Sequence, residues 1–224
     1  MRRWLRRSNG YDWIAEQLER RGITDPEVLR AMRAVPREQF VPLDVRHLAY
    51  DDGALPIGHG QTISQPYIVA RMTETLALGA WREAHGGEAP KVLDVGTGSG
   101  YQAAILAEMG ARVVSIELEA ALAERALATL ASLGYEVDVR VGDGSLGAPD
   151  DAPFAGILVA AAAPQVPVPL VEQLLADGRL VIPIGTRMEQ VITLVRRTED
   201  GFTQEPVEHA VFVPLLGEHG FGGR

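Results

Sequence analysis

Cysteine is absent from the chain. That removes disulfides, thiolate metal ligands and thiol nucleophiles together, and it fits a reducing, cytoplasmic compartment. Also missing is any run of about 18 apolar residues, so no membrane-spanning helix is expected. Met1 to Arg7 carries four arginines but leads into a charged stretch rather than an apolar one. That order argues against a secretory signal and reads as a solvated terminus. Positive charge is in deficit, with a formal net charge of −9, which disfavours nonspecific contact with a phosphate backbone. Internal repeats and low-complexity linkers are lacking too. The five histidines, His47, His59, His85, His209 and His219, are scattered without a partner motif, so neither a metal site nor a histidine general base is expected.

What remains is an ordinary globular composition, 46% hydrophobic and 23% charged over 224 residues, enough for one domain with an appendage. The division expected is a helical and loop cap over 1–60 and a larger unit over 61–224. In the cap, Trp13, Ile14, Gln17 and Leu18 recur at helical spacing and Gly22 ends the helix. Thr24-Asp25-Pro26-Glu27 has the spacing of a capping box with proline in the first turn. Prolines and glycines from Gln39 to Gly60 suggest loop. Ser64 to Leu78 reads as a helix closed by Gly79, with Ile68, Val69, Met72 and Leu76 as its apolar stripe.

From Lys91 the pattern alternates. Strands are expected at Val92–Val95, Arg112–Ile116, Glu136–Val141, Gly156–Ala160 and Arg179–Ile184. Helices are expected at Gly100–Met109, Glu119–Leu133 and Pro169–Ala176. Gly110, Gly134 and Gly178 close them. Repeated strand–helix units imply a mostly parallel sheet covered on both faces. Two final strands, Gln190–Arg197 and Val207–Leu215, have no helix between them and turn at Gly201, as an antiparallel edge would.

In such sheets ligands bind beyond the carboxyl ends of the strands. Those ends carry Asp94-Val95-Gly96-Thr97-Gly98-Ser99-Gly100, then Glu117, then Asp143-Gly144. The glycines permit a tight turn and close approach of backbone to a ligand. Glu117 can accept hydrogen bonds from both hydroxyls of a ribose. The dinucleotide fingerprint needs a third glycine where Tyr101 stands. S-adenosylmethionine (AdoMet) fits better: it has no phosphates, its sulfonium suits acidic loops, and its carboxylate can use a helix N-terminus.

Gly60-Gln61-Thr62-Ile63-Ser64-Gln65-Pro66-Tyr67 narrows the reading. It resembles the signature of the protein-L-isoaspartate O-methyltransferase family. VLDVGTGSGY from Val92, VSIEL from Val114, Gly142-Asp143-Gly144, AAAP from Ala161, GRLVIPIG from Gly178 and FVPLLG from Phe212 follow in the family's order. The resemblance implies a Rossmann-like class I AdoMet-dependent methyltransferase, α/β with an antiparallel edge and an N-terminal helical segment. It implies methylation of the free α-carboxylate of L-isoaspartyl residues in damaged proteins and peptides, starting repair through a succinimide, with S-adenosyl-L-homocysteine (AdoHcy) as product. Ser64 then matches the active-site position and Thr62 its neighbour on the substrate. Gln61, Thr62, Ile63, Ser64, Asp94, Gly96, Gly98, Gly100, Glu117, Asp143 and Gly144 form the expected cofactor set, with no metal. A monomer is expected, acting on isoaspartyl proteins and not on nucleic acid or membrane.

The residue-level chemistry agrees, because a carboxylate with a pKa near 4 is already ionised at neutral pH and needs no base. Ser64-Gln65-Pro66 also reads as a helix start with Ser64 as N-cap. The chain departs from the family pattern at Ala155-Gly156, Ala160 and Val211. The alternative reading is a peptide-dedicated Asp methyltransferase driving aspartimide formation. Such relatives are expected to carry an added recognition segment, and the chain ends at Arg224 soon after the family core.

Overall fold

The structure, a computed structural model, describes residues 12–222. The arginine-rich start lies outside them. Asp12 accepts from the backbone N–H groups of Ile14 and Ala15 and so caps α1 (Trp13–Gln17). A 3₁₀ turn follows and ends at Gly22. α2 (Pro26–Ala34) is capped by Asp25 rather than Thr24. Thr24 instead donates its N–H to Glu74, so the capping box gives way to a contact with α3 (Pro66–Leu76).

The segment expected as loop, Gln39 to Gly60, ends in β1 (Leu55–Gly58), which forms a hairpin with β2 (Gln61–Ile63) just beyond it. Its turn holds His59 and Gly60 at positive φ, and Leu55, Ile57 and Ile63 point into the core. Here prolines and glycines shape a hairpin instead of excluding one. Ala77, at φ 51°, ends α3, and α4 (Leu78–Ala84) starts at once. Gly79 is therefore inside a helix and not a terminator.

The alternation from Lys91 builds β3 (Lys91–Val95), α5 (Tyr101–Glu108), β4 (Arg112–Glu117), α6 (Ala120–Leu133), β5 (Val137–Val141), β6 (Phe154–Val159), α7 (Val168–Glu172) and β7 (Leu174–Gly185). α7 is shorter than its pattern, because Leu174 already pairs with Phe154 of β6 and Gly178 lies within the strand. β8 (Gln190–Thr198) and β9 (Gly201–Ala210) complete the sheet. The last strand begins at the Gly201 turn and ends at Ala210, ahead of the expected Leu215. Among the described residues those beyond form an isolated β-bridge, Pro214 with Ala162, and Phe212 N donates to Gln190 at the start of β8.

Strand order is β5-β4-β3-β6-β7-β8-β9. The pairings from β5 to β7 are parallel, and β7-β8-β9 are antiparallel. Order reverses at β3, with β4 and β5 on one side and β6 and β7 on the other, and the crevice at its carboxyl end is where this topology receives ligands. One apolar cluster runs from Ile14 and Met32 through Met72 and Ile105 to Ile192, so the N-terminal segment packs into the same core as the sheet.

Candidate functional site

The glycine loop after β3 is fixed by backbone. Gly96 N donates to Ile116 O (2.8 Å) and Gly100 N to Thr97 O (2.8 Å). Gly96, Gly98 and Gly100 all have positive φ, which L side chains rarely adopt. At Gly98 a Cβ would sit 3.4 Å from Ile57 Cδ1. Glu117, at the end of β4, ties the next strand end to this loop. Its two oxygens accept from Gly98 N (2.8 Å) and Glu119 N (3.0 Å). Each oxygen keeps a free lone pair.

These groups line a cleft with about 920 Å³ of empty space, mouth included. Of the sequence-derived set, Gln61, Thr62, Ile63, Ser64, Gly96, Gly98, Glu117 and Gly144 line it. Asp94, Gly100 and Asp143 do not, for three different reasons. Asp94 is wholly buried. Its Oδ2 accepts from Ser115 Oγ (2.7 Å), and Ser115 shares a second bond with Thr97 Oγ1 (2.6 Å). The serine proton is committed to Asp94, so Thr97 donates to Ser115. The carboxylate thus anchors the loop from beneath. Among the described residues its other oxygen has no partner, and burial raises the pKa of the Asp94 carboxyl to about 7. Gly100 faces α6, where a Cβ would press on Leu130 and Ala126 at 3.2 and 3.3 Å.

Asp143 spends its carboxylate on a latch. Oδ1 accepts from Ser145 N and Oγ, and Oδ2 accepts from Glu218 N (2.8 Å). Ser145 Oγ in turn accepts from His219 N (3.0 Å). Despite partial burial, these donors and nearby His219 hold the Asp143 carboxyl below its usual range. The latch fixes a strap, residues 211–221, whose Pro214, Leu215 and Leu216 form a wall of the cleft. Sequence reasoning read its first part, to Leu215, as strand and missed its role; the apolar run from Val211 to Leu216 signals burial but not what it covers.

Ser64 lies between β2 and α3. Gln65 occupies the N-cap position of α3 and no side chain caps it, so Ser64 is not the helix cap. Among the described residues nothing hydrogen-bonds its hydroxyl. Ser64 and Thr62 line both the cleft and a second, adjoining groove that includes Gln65, Ile68, His209 and Val211. Two departures from the family pattern border this groove: Ala160 is on its floor, and Val211 stands 76% exposed. Ala155 is buried inside β6.

Among the described residues no arginine, lysine or histidine lines the cleft. Its titratable lining groups are Glu117 and Tyr101, and burial pushes the Tyr101 phenol up to about 12, too high for a base at neutral pH. The sequence singled out Tyr101 only as a missing glycine. Among the described residues there is no cluster of three metal-ligating side chains, and no helix is long and apolar enough to cross a membrane.

Residues 10–220 match the family Protein-L-isoaspartate(D-aspartate) O-methyltransferase (PCMT). A protein-L-isoaspartate O-methyltransferase from Roseiflexus sp. (strain RS-1) is 51% identical over 207 residues, 92% of this chain and 91% of that one. Among solved structures, a protein-L-isoaspartate O-methyltransferase superposes with a TM-score of 0.77 at 27% identity. The match covers 91% of this chain and 65% of that one. A Plasmodium falciparum chain described as an enzyme of the same kind, in complex with S-adenosyl-L-homocysteine, gives 0.73 at 25% identity, covering 91% and 96%. With residues 10–220 matched by the family model and half of its residues shared with such a relative, this chain belongs to the protein-L-isoaspartate O-methyltransferase family.

Proposed function

We propose that the protein methylates the free α-carboxylate of L-isoaspartyl residues, with AdoMet as donor, and so starts their repair through a succinimide. The observation that carries this reading is Ser64. Its unpartnered hydroxyl stands where the cleft meets the second groove, so cofactor and peptide would meet at a hydrogen-bond donor.

The lining suits AdoMet. Glu117 faces the cleft with spare lone pairs for ribose hydroxyls, Ile116, Leu118 and Gly144 offer an apolar slot for a flat ring, and a lining that, among the described residues, carries Glu117 and no cationic side chain suits a sulfonium better than a pyrophosphate. Gly96 and Gly98 would admit the methionine part at the backbone. Bound AdoMet supplies an electrophilic methyl group. The chain's own part is alignment and exclusion of water. Ser64 donates to one carboxylate oxygen and leaves the other free, Thr62 stands beside it, and Val69, Met72 and Leu215 keep the cleft apolar. The substrate carboxylate is ionised near neutrality, so the site works without a base, in keeping with its lining.

In this reading residues 1–60 cap a methyltransferase domain of residues 61–224. The partners are isoaspartyl proteins and peptides rather than nucleic acid, and the enzyme is a cytoplasmic monomer. The net charge of −9 and the lack of cysteine support this. The deciding experiment is methyl transfer from labelled AdoMet to two peptides that differ only in isoaspartate against aspartate. Transfer to the isoaspartyl peptide alone is expected. Transfer to both would favour a peptide-dedicated Asp methyltransferase, and transfer to neither would end the proposal.

A further inference from the structure

Arg37 opens the 3₁₀ turn after α2 and is completely buried. A guanidinium in an apolar core is costly unless its donors are used. Among the described residues no carboxylate pairs with it. Its Nε donates to Ala49 O at 2.7 Å and its Nη2 to Ser64 O at 2.8 Å. Among the described residues its Nη1 has no hydrogen-bond partner, and the guanidinium carbon lies 5.0 Å from the centre of the ring of Tyr101, a residue that lines the cleft.

Two neutral carbonyls do not call for an ion. What a guanidinium adds is a rigid planar fork that fixes two separate chain segments relative to each other. One of them is the residue whose hydroxyl faces both grooves. Since no side chain or backbone group holds that hydroxyl, its position depends on the Ser64 backbone. Arg37 is the buried side chain that grips the Ser64 carbonyl.

We propose that Arg37 is a positioning residue for methyl transfer, holding the Ser64 hydroxyl at the junction of the two grooves through the Ser64 carbonyl. The proposal rests on the isoaspartyl methyltransferase reading above. It differs from a packing role in a measurable way: a misplaced donor slows the reaction without loosening the cofactor, because the glycine loop and Glu117 are built from other segments.

The test compares wild type, Arg37→Lys, Ser64→Ala and the double variant, each at a temperature where melting curves show it folded. Lysine keeps the charge but has a single donor centre in place of the fork. Arg37→Lys is expected to lower kcat for the isoaspartyl peptide by about tenfold or more, since small misplacements of reacting groups cost up to about a hundredfold. The dissociation constant for AdoHcy, read by calorimetry, is expected to stay within about threefold of wild type. In the Ser64→Ala background the same change should cost less than about threefold, because contacts that act through one group are not additive. Unchanged kcat in folded Arg37→Lys, or the same fold-loss in both backgrounds, overturns the proposal. A wild type that methylates neither peptide overturns the activity reading and this proposal with it. Should Arg37→Lys not fold, wild type still decides. The slowly exchanging guanidinium signal of a buried arginine is expected to shift in the nuclear magnetic resonance spectrum when isoaspartyl peptide is added to the AdoHcy complex. An unmoved signal counts against it.

Discussion

The cleft has two walls of unlike construction. One is the carboxyl edge of β3 and β4, where Gly96 N donates to the Ile116 carbonyl and the Glu117 carboxylate accepts from Gly98 N and Glu119 N, so that neighbouring strand ends hold each other. The other is assembled from distant segments, the β1–β2 hairpin and the strap, held by a few scattered bonds: Arg37 on Ser64, Asp143 on Glu218, Gln190 on Phe212, and a backbone pair in which Ala162 N donates to Val213 O and Leu215 N to Ala162 O. A wall made of sheet backbone moves only if the sheet moves. A wall made of pinned segments opens at the cost of a few hydrogen bonds, each worth about 1 kcal/mol net. The first suits a ligand held the same way every time; the second suits peptides of varied sequence and the exchange of cofactor for product.

The sheet-built wall is where the largest effect is expected. Asp94 carries a pKa of about 7 in the folded chain, raised mainly by burial, against about 3.9 when unfolded. Between about pH 4 and 7 the folded state therefore holds one proton more than the unfolded state, and stability falls as pH rises. Denaturation of wild type and Asp94→Asn at several pH values should show their stability difference changing by up to about 4 kcal/mol across that window. Parallel curves would show that the carboxylate is not the strained group under the loop.

On the same wall, Glu117→Ala is expected to weaken AdoHcy binding about a hundredfold, the loss of charge-assisted bonds to two hydroxyls. Calorimetry measures it, and a loss below about threefold would move the ribose elsewhere. On the pinned wall, Ser64→Ala should lower kcat by about ten- to thirtyfold, the loss of one hydrogen bond to a charged group, with AdoHcy affinity nearly unchanged. Equal losses in both would show that Ser64 shapes the cofactor site instead. The smallest effect is expected at the strap. Gly217 has φ 148°, and a Cβ there would sit 2.0 Å from Asp143 Oδ1. Gly217→Ala should break the latch, raise the AdoHcy off-rate several-fold, and shift the melting temperature little. A melting shift as large as that of a core substitution would make the strap part of the fold's foundation and erase the contrast between the walls.

Legibility in the sequence follows the same division. Gly110 and Gly134 stand at positive φ after α5 and α6, so the alternating elements announce their own ends. The glycine loop and Glu117 were readable because topology alone places strand ends together. Asp94 was readable as a constrained carboxylate but not as a support, since its partner Ser115 looks like any strand residue. The hairpin, α4 and the strap were not readable. Their shape depends on what they pack against, as when Ala77 takes a left-handed conformation with no glycine to announce it. Arg37 was invisible for a related reason: its partners are backbone carbonyls, which leave no mark in the sequence.

The outer strand β9 bears on how such an enzyme survives its clientele. Proteins with aged, loosened segments are the kind of chain that adds itself to an open sheet edge and seeds aggregates. β9 leaves one edge unpaired. Along it stand exposed Glu205 and Pro206, which lacks an N–H to offer, and the pairing with β8 slips between Ile192 and Thr193, opposite Glu208 and Pro206. Charge, a missing donor and an irregular register together make a poor template. In the proposed reading the sheet receives damaged peptides at its carboxyl end, while this edge offers them a poor strand to pair with.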